Sequence, residues 1–295
     1  MKGAVRSIGR VFAFIGLFLI LLIPLQLALD GLVAGAGGDA LLLGTASGAV
    51  AATLAGVVLL RILERRPGGA LGIAWTSRTP AEIAIGLAIG TLAIGAVAGL
   101  LSIAGFVRYT GDAGSVGSWL WTLAADFGLL AVAAYAEEAL FRGYAFQVLV
   151  RGFGAVAATL FASGLFALAH SANPNVGALA LVNLFLAGVL LSVAYLRTAS
   201  LWFATAVHLG WNWGMASLLD LPVSGITQLE TPLYEPVVSG PEWLTGGAFG
   251  PEAGLPGTLA FAAALVLVLR WRRIAPAPEM RALGPLIVDP EKRVA

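Results

Sequence analysis

The sequence predicts an all-α fold, a polytopic membrane bundle of about eight transmembrane helices. Hydrophobic residues make up 59% of the 295 residues and charged residues only 11%, whereas soluble domains carry about 25% charged residues. Eight apolar runs approach or exceed the roughly 20 residues that a helix needs to cross a bilayer. Lys and Arg are concentrated in alternate segments between these runs, as is typical of cytoplasmic loops.

The composition excludes several other classes of protein. The chain has no cysteine, which excludes a disulfide-stapled secreted domain and a cysteine-ligated metal or iron–sulfur site. Its apolar content excludes a disordered chain. A formal net charge of +1 provides no general basic field for nucleic acid. We therefore expect membrane lipid, and no nucleic acid, among the partners.

The eight apolar runs follow one another along the whole chain. They lie at residues 11–29, 41–60, 82–107, 118–150, 153–170, 177–196, 200–219 and 256–270. The first run follows basic residues, so a cleaved signal peptide is the alternative. Its apolar stretch exceeds the roughly 7–15 residues of a signal core, and we interpret it as a retained span. The fourth run is long enough to tilt or to extend beyond the bilayer, and the fifth and eighth are short.

The third run contains two pairs of glycines four residues apart, which predict close helix packing. These pairs are Gly86 with Gly90 and Gly95 with Gly99.

Basic residues predict the orientation of the bundle. They precede the first run and follow runs two, four, six and eight, whereas the intervening segments contain only Arg108. The positive-inside rule therefore predicts a multi-pass protein of the cell membrane with both termini in the cytoplasm. Segment 220–255 has no Lys or Arg, and it carries Asp220, Glu230, Glu235, Glu242 and Glu252. We expect an acidic external loop with little regular structure there, and a mobile tail from Ile274.

The densest group of ionisable residues lies in the fourth run. Two adjacent carboxylates and a guanidinium, from Glu137, Glu138 and Arg142, occur in an otherwise apolar stretch. Charges are expensive in a bilayer and suggest function. Glu138 and Arg142 are four residues apart and can pair on one helix face. Glu137 lies about 100° around the helix, so it can point elsewhere and act as a general base or acid. The alternative is a structural charge cluster that joins helices.

Both histidines of the chain lie in or at the end of predicted spans. His170 follows Phe166 by four residues, and His208 precedes Asn212 by four, so each pair shares a helix face. A single membrane histidine is more often a packing residue. Together with Glu137, however, these residues supply a base, a second proton carrier and hydrogen-bond donors for a developing oxyanion.

Three motifs in this order resemble the signature of the CPBP family of intramembrane proteases, which includes CAAX-prenyl endopeptidases and bacteriocin self-immunity proteins. The motifs are Glu137-Glu138-x-x-x-Arg142, Phe166-x-x-x-His170 and His208-x-x-x-Asn212. The resemblance covers residues 118–215. It implies a catalytic core at 118–215. The apolar runs place this core in one integrated membrane domain, preceded by helices at 1–110 and followed by the loop at 220–255 and a last helix and tail at 256–295.

The resemblance also implies a role for each motif residue. Glu137 is expected to activate a water with His170 as its partner, and His208 and Asn212 to stabilise the oxyanion. Supporting roles are expected for Glu138, Arg142 and Phe166. The expected substrate is a membrane-associated or prenylated protein or peptide.

The use of a metal is open at this stage. Glu137, His170 and His208 are candidate zinc ligands that leave a position for water, and a metal-free glutamate mechanism fits the same residues. We expect no tightly held structural metal.

Two other functions are compatible with the sequence. One is a non-proteolytic membrane immunity or scaffold protein on the same fold. The other is a proton-coupled transporter that uses Glu137 and the histidines as a relay, which the lack of a visible internal repeat disfavours.

Several other residues have two interpretations each. One interpretation places Asp126 at the mouth of a catalytic cavity, and the other places it in a polar gap near the outer surface. We favour the second. Asn183 supports the site or makes a packing hydrogen bond, and we favour packing. Trp211 and Trp213 shape a lipid groove or anchor their helix at the interface. Straight helices would place His170 and His208 at different depths, so a single site requires the fifth span to be tilted or displaced.

Overall fold

The computed structural model describes residues 2–36 and 40–288. In chain order its elements are α1 Lys2–Ala36, α2 Ala40–Leu63, α3 Thr79–Ile103, β1 Val107–Gly111, α4 Val116–Arg142, α5 Tyr144–Phe153, α6 Ala155–Ala169, α7 Ala178–Thr198, α8 Leu201–Trp213, β2 Tyr234–Val238, α9 Glu242–Thr245, α10 Leu255–Arg270 and α11 Pro278–Leu283. A π-helical turn, Gly214–Leu218, continues α8. The predicted all-α membrane bundle is confirmed.

Five helical stretches within these described residues are long and apolar enough to cross a bilayer. They are Gly3–Leu29, Leu42–Leu63, Thr79–Ile103, Val116–Phe153 and Ala178–Thr198. The remaining three predicted runs are also helical but shorter, since α6 has 15 residues, α8 has 13 and α10 has 16. All eight runs are therefore helical, and the fifth and the eighth are too short to cross a bilayer as straight spans.

The fourth predicted run is two helices rather than one long helix. Helix α4 ends at Arg142, and Gly143 (φ −71°, ψ −135°) turns the chain before α5 begins at Tyr144. A Cβ atom at Gly143 would collide with the carbonyl oxygen of Ala139. Glycine therefore allows a turn that the apolar pattern of the run does not reveal.

The acidic segment at 220–255 contains more regular structure than predicted. Strand β2 pairs antiparallel with β1, from Val107 opposite Val238 to Gly111 opposite Tyr234. The rings of Tyr109 and Tyr234 meet edge to face, with centroids 5.6 Å apart. The prediction of little regular structure is wrong here, because the partner strand lies more than a hundred residues earlier and leaves no local sequence pattern.

The described part of the tail also packs against the bundle. Arg197 donates hydrogen bonds to the carbonyl groups of Trp271 and Ile274, and the backbone N–H of Leu286 donates to Gln147 Oε1 at 2.7 Å. Met280 is buried. The expectation of a mobile tail is therefore wrong for residues 274–288.

Helix α8 lies against α3, and glycine brings the two backbones together. A Cβ atom at Gly90 would collide with the carbonyl oxygen of Val207, and one at Gly210 with that of Leu87. The predicted close packing is thus confirmed for the first glycine pair. It is wrong for Gly95 and Gly99, where an added Cβ meets nothing within 4 Å.

Candidate active site

Two neighbouring carboxylates on α4 have different surroundings. Glu138 is fully buried, and its Oε1 accepts hydrogen bonds from Arg142 Nη1 at 3.1 Å and from His208 Nδ1 at 2.9 Å. The side chain of Glu137 is 36% exposed and faces a cavity. The angular offset of consecutive helical residues thus places one carboxylate in the protein and the other in the open space.

Hydrogen bonds fix the orientation of both imidazole rings. An ionised carboxylate and a carbonyl oxygen can only accept, so His208 Nδ1 donates to Glu138, and His170 Nδ1 donates to the carbonyl of Phe166 at 2.8 Å. The Nε2 atoms then point toward one oxygen of Glu137. His170 Nε2 lies 3.8 Å and His208 Nε2 4.0 Å from Glu137 Oε2.

The ring of Phe166 packs among these groups. Its centroid lies 4.7 Å from that of His170 and 6.0 Å from that of His208. The guanidinium carbon of Arg142 lies 4.7 Å from the same ring centroid, within the range of cation–π attraction. Arg142 Nη2 also donates to the carbonyl of Gly188 at 3.0 Å. Arg142 therefore joins α4 to α6 and α7 from a fully buried position.

The site opens into a cavity of about 410 Å³ whose wall is mostly aliphatic and aromatic. Glu137, His170, His208 and Asn212 all line it. The structure thus brings the four predicted catalytic residues to one cavity. The expected mismatch in depth does not arise, because both imidazoles reach the same carboxylate oxygen.

Two other polar residues singled out in the sequence serve packing. Asp126 is buried, accepts a hydrogen bond from Ser217 Oγ at 2.9 Å, and is not among the described residues that line the cavity. Asn183 Nδ2 donates to the carbonyls of Glu252 and Gly254 at 2.7 and 3.0 Å. Asn183 therefore attaches the acidic segment to α7.

Glu252 also lines the cavity, and the sequence did not identify it. It is buried. Its Oε1 accepts from Trp211 Nε1 at 3.1 Å, and its Oε2 accepts from Ser224 N and Oγ at 2.9 and 2.7 Å. Trp211 thus forms part of the cavity wall, whereas Trp213 donates to the carbonyl of Leu123. Nothing in the sequence distinguishes Glu252 from the other acidic residues of its segment.

The candidate zinc ligands do not close around an ion in this geometry. Donor atoms that share a tetrahedral zinc lie about 3.3 Å apart, and Glu137 Oε2 is farther than this from both Nε2 atoms, at 3.8 and 4.0 Å. Among the described residues, no group of three or more His, Asp or Glu side chains is arranged to hold a metal ion.

Comparison with known proteins locates the family likeness in the same part of the chain. No curated protein matches the chain. Residues 117–214, about a third of the chain, match the family model described as type II CAAX prenyl endopeptidase Rce1-like. This segment contains all three motifs and the four predicted catalytic residues that line the cavity. Residues 117–214 are thus similar to the Rce1-like CAAX prenyl endopeptidases, in agreement with the resemblance that the three motifs indicated.

Proposed function

We propose that this protein is an intramembrane endopeptidase that hydrolyses a peptide bond with a water activated by Glu137. One observation carries the proposal: Glu137 Oε2 lies within 4.0 Å of the Nε2 atoms of both His170 and His208 inside an apolar cavity. Atoms at this separation can share one water at ordinary hydrogen-bond distances of about 2.8 Å. The family description supports the same class of reaction.

In the first step, Glu137 takes a proton from the water while the water oxygen bonds to the carbonyl carbon of the substrate. The carbonyl oxygen becomes an oxyanion, which accepts hydrogen bonds from the Asn212 amide and from His208 Nε2. Since Nδ1 of His208 already donates to Glu138, Nε2 can donate only when the ring is an imidazolium. The buried Glu138 carboxylate favours that charge.

In the second step, the C–N bond breaks and the proton held by Glu137 passes to the leaving amine. His170 Nδ1 donates to the carbonyl of Phe166, so the lone pair of the neutral ring lies on Nε2. That lone pair accepts a hydrogen bond from the attacking water and keeps it beside Glu137. No metal is required for either step, and we expect none to be tightly held.

The family description and the apolar cavity both support a class of substrate. We propose a membrane-associated or prenylated protein or peptide, because an apolar wall stabilises an apolar group beside the reacting bond. We further propose that the protein lies in the cell membrane with both termini in the cytoplasm, on the basis of its Lys and Arg distribution.

The proposal can be tested in cells that express the wild type or Glu137→Gln at equal, folded levels. New protein N- and C-termini are compared by mass spectrometry. We expect termini that appear only with the wild type, and their sequences would identify the substrate. Identical termini in both strains, together with a cellular phenotype that both proteins rescue, would favour the immunity or scaffold function. Metal analysis of active, purified protein tests the expected absence of a tightly held ion.

A further inference from the structure

The buried carboxylate of Glu252 lies in the wall of the site cavity and has no role in the two proposed chemical steps. Glu252 is 4% exposed and lines the cavity together with Trp211 and Ser224. Its carboxylate accepts three hydrogen bonds, all from these two residues. Trp211 Nε1 donates to Oε1, and the backbone N–H and the hydroxyl of Ser224 donate to Oε2. The carboxylate is therefore held between two residues that line the same space.

None of the groups that contact this carboxylate is positively charged. An indole N–H, a backbone N–H and a hydroxyl are neutral donors. Among the described residues, no Lys, Arg or His nitrogen lies within 4.0 Å of Glu252, and the sequence has no Lys or Arg between Arg197 and Arg270. Glu252 thus places a negative charge in a mostly apolar cavity without a cation of the described chain to balance it.

One acceptor position of the Glu252 carboxylate remains available. The two oxygens of a carboxylate offer about four lone-pair positions, and the three donors from Trp211 and Ser224 occupy three of them. Within the described part of the chain, Oε1 accepts only from Trp211. A buried charge is costly unless a partner of opposite sign neutralises it. The remaining position on Oε1 therefore favours a positively charged donor that enters the cavity.

Helix α8 relates this carboxylate to the reacting groups. Trp211, which donates to Glu252, follows His208 by three residues and precedes Asn212. Three residues of an α-helix rise about 4.5 Å along its axis, and an extended chain advances about 3.3–3.6 Å per residue. A charged substrate side chain that reaches Glu252 therefore belongs to a residue within about three positions of the scissile bond.

We propose that Glu252 selects substrates that carry a lysine or arginine within about three residues of the scissile bond, a proposal that rests on the proposed function. The apolar stem of such a side chain can pack on the aliphatic wall while its charged end meets the carboxylate. A metal ion fits less well, because hard cations require several oxygen ligands and no group of three or more His, Asp or Glu among the described residues is arranged to hold one. Glu252 lies outside residues 117–214, so the family match does not cover it.

The first test measures selectivity for a positive charge. A peptide that the wild type cleaves is prepared with lysine at each of the three positions on either side of the scissile bond. Matched peptides carry norleucine there, which keeps the unbranched stem and lacks the ammonium group. The readout is the ratio of kcat/KM for the lysine peptide to kcat/KM for the norleucine peptide. A general loss of activity through altered packing affects both peptides and leaves this ratio unchanged.

We expect a ratio of at least about ten at one position for the wild type, because a buried charge pair is costly to break. Glu252→Gln removes the charge and keeps an oxygen that can accept from Trp211, and its ratio should fall to about one. Glu230→Gln, at an exposed position of the same segment, should keep the wild-type ratio. A wild-type ratio near one at every position, or a Glu252→Gln ratio equal to that of the wild type, would overturn the proposal.

The second test needs neither cleavage nor a variant of Glu252. The Glu137→Gln protein in phosphatidylcholine vesicles is mixed with a capped Leu/Ala peptide that has one central lysine. Dicyclohexylcarbodiimide then joins a carboxylate and an amine that are in contact through an amide bond, and the reagent leaves as its urea. Mass spectrometry identifies the joined residues.

We expect an amide bond between the peptide lysine and Glu252, and none with the norleucine peptide. Cross-links that are confined to other carboxylates, or the absence of any cross-link, would contradict the proposal. A cross-link at Glu252 in a protein whose wild type cleaves no peptide would support the cation site and count against the proposed function alone.

Discussion

At the scale of single residues, Glu138 links structure to chemistry. It is fully buried and accepts hydrogen bonds from both Arg142 and His208 through one oxygen atom. A buried charge that loses its partner is left uncompensated in a medium that solvates it poorly. Glu137, one residue away, makes no contact shorter than 3.8 Å with the two imidazoles that face it. Removal of the Glu138 carboxylate should therefore lower the free energy of unfolding more than removal of the Glu137 carboxylate.

The first prediction compares the two carboxylates by the same substitution. Glu138→Gln should lower the free energy of unfolding by about 3–5 kcal/mol, because it leaves Arg142 unpaired in the protein interior. Glu137→Gln should change it by less than about 0.5 kcal/mol, because its side chain faces the cavity. The measurement is chemical unfolding in detergent micelles. Similar losses for the two variants would show that Glu137 is a structural residue.

At the scale of elements, the contact between α3 and α8 sets one wall of the cavity. Both Gly90 and His208 line that cavity. The backbones of the two helices touch where glycine occurs, at Gly90 on α3 and Gly210 on α8. Any side chain at Gly90 must therefore move a helix that carries a predicted catalytic residue.

The second prediction uses the two glycine pairs of α3. Gly90→Ala should lower the free energy of unfolding by about 1–3 kcal/mol, because its Cβ atom overlaps the carbonyl oxygen of Val207. It should also reduce cleavage. Gly95→Ala is the control, since an added Cβ there meets nothing within 4 Å, and it should be neutral or stabilise by up to about 1 kcal/mol. Equal effects would mean that the backbone contact does not constrain the bundle.

A second element-scale feature joins α1, α2 and α5 around Glu64, which lies just beyond the end of its span. Glu64 follows α2, pairs with Arg10 and Arg151, and accepts a hydrogen bond from Tyr144. Burial alone would raise the pKa of the Glu64 carboxyl. The hydrogen bond and charge of Arg151, with Tyr144 and Arg10, outweigh burial and hold this pKa below its ordinary value of 4.5.

The third prediction follows from the sign of that shift. A depressed pKa in the folded state contributes stability that is present above the unfolded pKa and is lost as the pH falls through the folded value. Glu64→Gln should therefore destabilise the protein at pH 7, by about 2 kcal/mol for hydrogen bonds to a charged group, and less as the pH falls below 4.5. Unfolding curves of both proteins from neutral to acid pH measure the difference, and a constant difference would contradict the assignment.

The sequence predicted helices better than it predicted their ends and distant contacts. Apolar runs and the spacing of Glu138 and Arg142 are local, so they predicted the eight helical runs and the ion pair. The turn at Gly143 depends on a close approach to Ala139, which a composition of small apolar residues does not reveal. The contact between Glu252 and Trp211 joins positions 41 residues apart, and no periodicity relates them.

At the scale of the whole molecule, the candidate site is enclosed by parts of the chain that lie outside the segment matching the family. Residues 117–214 provide Glu137, His170, His208 and Asn212. Helices α3 and α10 and the acidic segment complete the wall through residues such as Ile89, Phe261 and Glu252. The predicted catalytic residues thus line a cavity whose remaining walls come from elements outside the matched segment.

The fourth prediction tests the contribution of the acidic segment. Glu252→Ala leaves Trp211 Nε1 and the Ser224 hydroxyl without their acceptors in a buried position, so it should lower the free energy of unfolding by about 1–3 kcal/mol. It should also lower kcat/KM about tenfold, because the Trp211 ring, which lines the cavity, loses the hydrogen bond that orients it. Glu230→Ala, at an exposed position of the same segment, is the control and should change neither quantity. A normal Glu252→Ala protein would show that the segment does not shape the site.

The most direct measurement of the central claim is the turnover of purified, reconstituted Glu137→Gln on a peptide that the wild type cleaves. Loss of the general base should lower kcat by about 10²–10⁴-fold, while the free energy of unfolding stays within about 0.5 kcal/mol of the wild type. That result would support Glu137 as the group that activates water. A folded Glu137→Gln protein that cleaves at a rate near that of the wild type would contradict the account.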